Sequence, residues 1–177
     1  MSMADSRNVR SRAGRAASAG GDRPASDVEN NVRAVIHRSC LLLDEERFDK
    51  YLALWAPAGR YRITSYSPDI RKDLVLLDLG RDDYGHLLSN IRNHEHMPGT
   101  FSRHLSVQLL ERDEGTGKVH VTSSILVIHT DPEGVSRVFA TGRYLDVFVT
   151  GGDQPLIELR EARLTTRQFG PGSHIPI

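Results

Sequence analysis

The feature that most constrains this chain is a change of hydrophobic period near Ser102. Beyond it, apolar and polar residues alternate over four successive stretches: Arg103–Glu111, Lys118–Thr130, Arg137–Thr150 and Leu156–Phe169. Successive strand side chains point to opposite faces, so each stretch reads as a half-buried β-strand. In the second, Val119, Val121, Ile125 and Val127 share one face. The breaks between them are turn-formers: Asp113-Glu-Gly-Thr-Gly117, Asp131-Pro-Glu-Gly134 with Pro at its second position, and Gly151-Gly-Asp-Gln-Pro155. Connections this short join antiparallel neighbours, so the second half predicts an antiparallel meander.

Upstream the period is helical. Val28, Val32, Val35 and Ile36 follow Ser26 and Asp27, either of which can cap a helix, with Glu29 in capping-box spacing from Ser26. Leu41, Leu42 and Leu43 close that segment. Asp44 is placed to cap a second helix whose face is Phe48, Tyr51, Leu52 and Trp55, ended by Pro57 with Gly59 in the turn. Arg60–Tyr66 alternates as a strand with Tyr61, Ile63 and Ser65 on one side, and a third helix is predicted over Asp82–Arg92, striped by Tyr84, Leu87, Leu88 and Ile91. Helices first and sheet last define an α+β fold rather than a doubly wound parallel sheet. N-terminal helices packed on one face of a long, curved antiparallel sheet resemble the nuclear transport factor 2-like cone, with Gly142 as the place where a bulge or bend could curve it.

The first residues follow neither period. Up to Asp27, five arginines stand against three aspartates in a background of Ala, Ser and Gly, with Val9 the only β-branched aliphatic residue before Val28. Such a segment buries too little surface to offset its ordering entropy, so residues 1–26 predict a disordered tail and 27–177 a single domain. Residues 1–27 carry a net +2, which leaves −2 on the rest, because 23 basic and 23 acidic residues cancel over the whole chain. A neutral chain lacks the cationic field of a general nucleic-acid binder. No apolar run has the length of a membrane span or a secretory core, so neither nucleic acid nor membrane is expected as a partner, and the expected location is the cytoplasm.

Three constellations bear on chemistry. His94-Glu-His96 with His104 downstream offers imidazoles that could hold zinc or iron, but the surrounding Asn93 and Pro98-Gly99 mark a loop, and the spacing matches no closed metal signature. His104 with Asp146 or Asp44, and a tyrosine such as Tyr61 or Tyr51, could serve proton transfer beside a carbonyl; the bland alternative is that these groups satisfy neighbouring backbone and cross-strand partners. Arg160, Glu161, Arg163 and Arg167 are dense for a strand that must also bury a face, which suits docking against a partner. The single cysteine, Cys40, lies in an apolar helix and reads as an inert small hydrophobe.

Particular runs carry a family resemblance. Gly142-Arg-Tyr-Leu-Asp146-Val-Phe148 followed by Arg160-Glu-Ala-Arg-Leu-Thr-Thr-Arg167 resembles the C-terminal half of the small (β) subunit of Rieske-type aromatic-ring-hydroxylating oxygenases, although Thr165 stands where that family often has Asp. Thr100–His104, with its Ser-Arg-His, resembles the opening of an earlier strand of the same family. Cys40-Leu-Leu-Leu-Asp-Glu-Glu-Arg47, Tyr66–Asp73 and Gly170–Ile177 are similar to a narrower branch, the hydroxylase small subunits of methanesulfonate monooxygenases.

The resemblance implies a non-catalytic small subunit of an oxygenase for an aromatic acid or small sulfonate, partnered by a large (α) subunit in an assembly of three large and three small chains. It implies a Rieske [2Fe–2S] cluster and a mononuclear iron in that large subunit and no cofactor or metal here. One cysteine agrees, since a Rieske centre takes two Cys and two His. Interface candidates are then Arg103, Arg143, Arg160, Arg163 and Arg167, which could clamp carboxylates between strands or across subunits in bidentate geometry, with His104 and Tyr144 as further candidates. The rival expectations are a stand-alone isomerase or dehydratase using His104, Asp146 and Tyr61, and a binding module with an open cone.

Overall fold

A computed structural model describes residues 24–91, 97–167 and 176–177. Their order is α1 (Ala25–Asp44), α2 (Phe48–Leu52), β1 (Trp55–Ser67), β2 (Lys72–Gly80), α3 (Arg81–Ile91), β3 (Thr100–Arg112), β4 (Val119–Thr130), β5 (Ser136–Val149) and β6 (Leu156–Leu164). The stripe of α1 is buried as its spacing requires, from Val28 through Val32, Val35 and Ile36 to Leu43. Its start differs from the expected cap. The helix begins at Ala25, before Ser26, with Pro24 at the N-cap position and no side-chain capping bond.

The end of α1 explains a second difference. Glu46 takes a left-handed φ of 52°, and bonds from Glu46 N–H to Leu43 O (3.1 Å) and from Arg47 N–H to Leu42 O (2.8 Å) seal the helix in a Schellman arrangement. Asp44 is thus the last residue of α1 instead of the cap of the next helix. The second helix shrinks to Phe48–Leu52, and Trp55 and Pro57 fall inside β1. Proline is tolerated there because the pairing of β1 with β6 shifts register between Trp55 and Arg60.

The sheet has six strands in the order β2-β1-β6-β5-β4-β3. The meander from β3 to β6 is antiparallel throughout. The all-antiparallel expectation fails at one seam, where β1 and β6 run parallel, so the sheet is mixed. Because β2 folds back along one side of β1, the other side is left for the last meander strand, which arrives in the same direction. The strand β2 itself is not signalled by alternation: Leu74-Val-Leu-Leu77 is a continuous apolar run, and only its pairing with β1 makes it a strand. Strand β6 stops at Leu164, short of Phe169, because Thr165 N–H turns to Thr141 O (2.8 Å).

Gly142 does not carry a bulge. It pairs with Ile125 and Leu164 without a register shift, whereas β4 and β5 shift between Val127 and Ile128 and β5 and β6 between Val147 and Phe148. A Cβ at Gly142 would lie 2.3 Å from the Arg163 carbonyl oxygen, so glycine serves a close strand approach there. The helices cover one sheet face, α1 against β3 and α3 against β1. Between the layers Tyr51, Trp55, Tyr61 and Tyr84 interlock, with Tyr61 and Tyr84 stacked at 4.2 Å.

Candidate functional site

The charged candidates named above fall into two groups, an interior network and a surface cluster. Inside, Arg160 of β6 is fully buried, and its direct cross-strand partner on β5 is Asp146. The guanidinium donates from Nε and Nη2 to the two Asp146 oxygens, each at 2.9 Å, and from Nη1 to Ser39 Oγ at 2.9 Å. Ser39 in turn donates to Ile36 O of its own helix, so one arginine ties two strands to α1. The Tyr144 ring lies 4.2 Å beneath the guanidinium carbon. Burial draws the Arg160 pKa down, but the facing Asp146 carboxylate more than reverses that and keeps the group charged.

A second buried arginine links the helix end to the chain's last described residues. Arg103 Nη1 pairs with Asp44, its backbone N–H donates to the other Asp44 oxygen at 2.9 Å, and Nη2 donates to Pro176 O. Next to it, Tyr61 Oη donates to Ile177 O at 3.0 Å and accepts from Ile177 N–H at 3.1 Å. Burial pushes the Tyr61, Tyr84 and Tyr144 hydroxyls and the Cys40 thiol up, so all four stay neutral.

The proton-transfer set is not assembled. Arg103 points inward, so His104, the next residue on β3, is exposed on the opposite face, where its nearest polar partner is Ser102 Oγ at 3.2 Å. Asp146 faces the helices and is occupied by Arg160. Tyr61 is committed to Ile177, Asp44 to Arg103, and Tyr51 lies in the aromatic cluster 3.4 Å from Tyr84 Oη. His94 and His96 lie outside the described residues; among those described, no group of three or more His, Cys, Asp or Glu is gathered to hold a metal ion. A Rieske centre does not fit this chain, whose one cysteine is buried in α1.

The interface candidates divide in the same way. Arg160 and Tyr144 present no surface and Arg103 almost none, so these three bind the fold together. Arg143, Arg163 and Arg167 are exposed and gather with Tyr66, Pro68 and Leu164 around a hollow of about 400 Å³. Arg143 and Arg163 are direct cross-strand neighbours, like charges on one face, which costs stability unless a carboxylate comes between them. Among the described residues only Arg163 of the three has an acidic partner, Asp73. Sequence reasoning missed Ser39, whose signal was a polar residue on the buried stripe of α1, and missed the seating of Pro176 and Ile177, which had no signal. It also missed the β2 edge, where Leu74, Val75 and Leu76 are 43–59% exposed.

N-terminal helices packed on a six-stranded mixed sheet are the architecture of a SnoaL-like domain, and that family's model matches residues 24–161. The chain belongs to this family and, within it, to the small (β) subunits of multicomponent oxygenases. It is 34% identical over 161 residues to the methanesulfonate monooxygenase hydroxylase subunit beta of Methylosulfonomonas methylovora, covering 86% of this chain and 89% of that one. It is 24% identical over 147 residues to the 2-aminobenzenesulfonate 2,3-dioxygenase subunit beta of an Alcaligenes species, covering 83% and 97%. The fold matches the crystal structure of the beta subunit of a candidate aromatic-ring-hydroxylating dioxygenase from Novosphingobium aromaticivorans, with a TM-score of 0.75 at 16% identity over 86% of this chain and 99% of that one.

Proposed function

We propose that this chain is the non-catalytic small subunit of the hydroxylase component of a Rieske non-haem iron oxygenase, an oxidoreductase acting on a sulfonate in catabolism. The observation that carries this reading is the filled cone: the carboxylate and tyrosine that an acid–base enzyme would need are spent on Arg160 and Ile177. Both curated relatives act, by name, on sulfonates, which favours that substrate class over an aromatic carboxylic acid. In this reading the Rieske [2Fe–2S] cluster and the mononuclear iron belong to a large subunit, three large and three small chains assemble, and the complex works in the cytoplasm.

The surface assigned to the large subunit is the hollow of Arg143, Arg163 and Arg167 together with the β2 edge beside it. The hollow asks for carboxylates, and the edge, with exposed Ile70, Leu74, Val75 and Leu76, asks for apolar cover. The two are continuous, since Tyr66 lines the hollow and pairs with Asp73 of β2, the residue that holds Arg163. Native purification tests the assignment. A larger chain of about three hundred or more residues, red-brown with iron–sulfur colour, should accompany this one. The assembled component should consume oxygen with methanesulfonate or 2-aminobenzenesulfonate in preference to benzoate. A colourless protein active by itself would overturn the reading.

A further inference from the structure

We propose that the surface hollow between Arg143, Arg163 and Arg167 is a binding site for a free aryl sulfonate anion, and that this anion competes there with the carboxylates of the large subunit. The competition rests on the interface reading given above, whereas the site does not. The hollow measures about 400 Å³, within the range of small-molecule sites, about 300–1,000 Å³. Tyr66, Pro68, Leu164 and Thr165 line it with the three arginines, and no acidic side chain does. Asp73 pairs with Arg163 from outside that lining, so three guanidiniums against one carboxylate leave +2. Both members of that pair are half-exposed, where an ion pair contributes little, so Asp73 yields to a better-placed anion. The next acid on this face of β6, Glu161, is turned to β1, where it accepts from Thr64 Oγ1 at 2.7 Å and lies 4.0 Å from Arg62.

The backbone holds these arginines together against their repulsion. Arg143 and Arg163 face each other across β5 and β6, one step from Gly142, where the strands approach so closely that a Cβ would lie 2.3 Å from the Arg163 carbonyl oxygen. Beyond Leu164 the chain is fixed by Thr165 N–H to Thr141 O at 2.8 Å and by Thr141 N–H to Thr166 Oγ1 at 2.9 Å, which brings Arg167 to the same hollow. An anion entering between like charges relieves their repulsion, and a backbone already ordered adds little to the entropy cost of binding. The number of arginines selects the head group. A sulfonate, ionised throughout the physiological range, offers three oxygens to three guanidiniums, and a carboxylate offers two. Exposed Tyr66 and Pro68 add a ring and an apolar wall, which select an aromatic body over a methyl group.

The test is calorimetric titration of the full chain with benzenesulfonate, methanesulfonate, benzoate and neutral benzamide, at constant ionic strength with chloride as the balancing anion. Benzenesulfonate should bind one site per chain, at least about threefold tighter than methanesulfonate or benzoate, and benzamide should not bind. Arg143→Ala should weaken benzenesulfonate about tenfold. Tyr66→Ala should weaken it about threefold and leave methanesulfonate unchanged. Both side chains are exposed, so both variants should keep the fold, which thermal melting checks. With benzenesulfonate at about ten times its dissociation constant, association with the large subunit should weaken about tenfold, and benzamide should leave it unchanged. No binding, binding indifferent to Arg143→Ala, or benzoate tighter than benzenesulfonate would each overturn the site and leave the interface reading standing. Binding without any effect on assembly would overturn the competition and take the hollow out of the interface.

Discussion

Arg160 and Arg163 stand three residues apart on the same strand and have opposite fates. Arg160 turns inward, loses all exposure and closes a bidentate pair with Asp146. Arg163 turns outward, keeps 46% of its side chain exposed and faces another arginine across the ladder. The difference is parity plus the facing residue: Asp146 sits opposite the first and Arg143 opposite the second. Density of charge along a strand therefore does not identify an interface. An arginine with its carboxylate directly opposite is held inside the fold, whereas one opposite its own kind stays at the surface.

The largest expected effect tests the inner half of that comparison. Asp146→Ala strands a buried guanidinium and should cost about 3–5 kcal/mol, a fall of roughly 10 °C in melting temperature for a domain of this size. High salt should not restore it, because the pair is shielded from solvent. Replacing both partners, Arg160→Met with Asp146→Leu, should recover most of the loss. A loss below about 1 kcal/mol in the single variant would erase the distinction between the two arginines.

The outer half is tested by assembly. Arg143→Ala should leave the melting temperature of the isolated chain within the effect of about 0.5 kcal/mol or raise it, since a like-charge neighbour is removed. Association with the large subunit should weaken by about 2–3 kcal/mol, roughly thirty- to hundredfold in dissociation constant. An oligomer that survives nanomolar dilution with Arg143→Ala would remove this residue from the interface.

Tyr61→Phe falls between network and rim. It deletes one hydroxyl and orphans both the carbonyl and the N–H of Ile177, which should destabilise the chain by about 1–3 kcal/mol in urea unfolding.

Legibility follows the same division between local pattern and distant contact. Strands β3 to β6 could be read because their alternation and turns are local, and Val119, Val121, Ile125 and Val127 are all buried as expected. Helix α3 was read to within a residue at each end for the same reason. The parallel seam was not legible, since β1 and β6 meet across about a hundred residues and no local pattern encodes which edge is vacant. Among site residues, Arg143, Arg163 and Arg167 were named as a surface and do converge. Arg160 and Arg103 were named with them because a sequence shows that a strand is charged but not which carboxylate lies across from it; Asp146 is fourteen residues away and Asp44 fifty-nine.

The smallest effect sharpens the comparison from the exposed side. Asp78 of β2 accepts from Arg60 Nε at 2.5 Å and from Arg62 Nη2 at 3.0 Å, a shared carboxylate between two arginines of β1. The Arg60 bond, aided by Arg62 and opposed by partial burial, holds its carboxyl below the ordinary range. A carboxylate depressed in the folded state adds stability that is present above its unfolded pKa of about 3.9 and is lost as pH falls through the depressed folded value. Asp78→Asn should therefore cost under about 1 kcal/mol at neutral pH, with the gap to the unsubstituted chain closing below about pH 4. The same gap should shrink in about 1 M salt, where the screening length is roughly 3 Å. A deficit for Asp78→Asn that persists in both acid and salt would place this pair with Arg160–Asp146 among the groups that hold the fold, and the rim of the sheet would then begin one strand later.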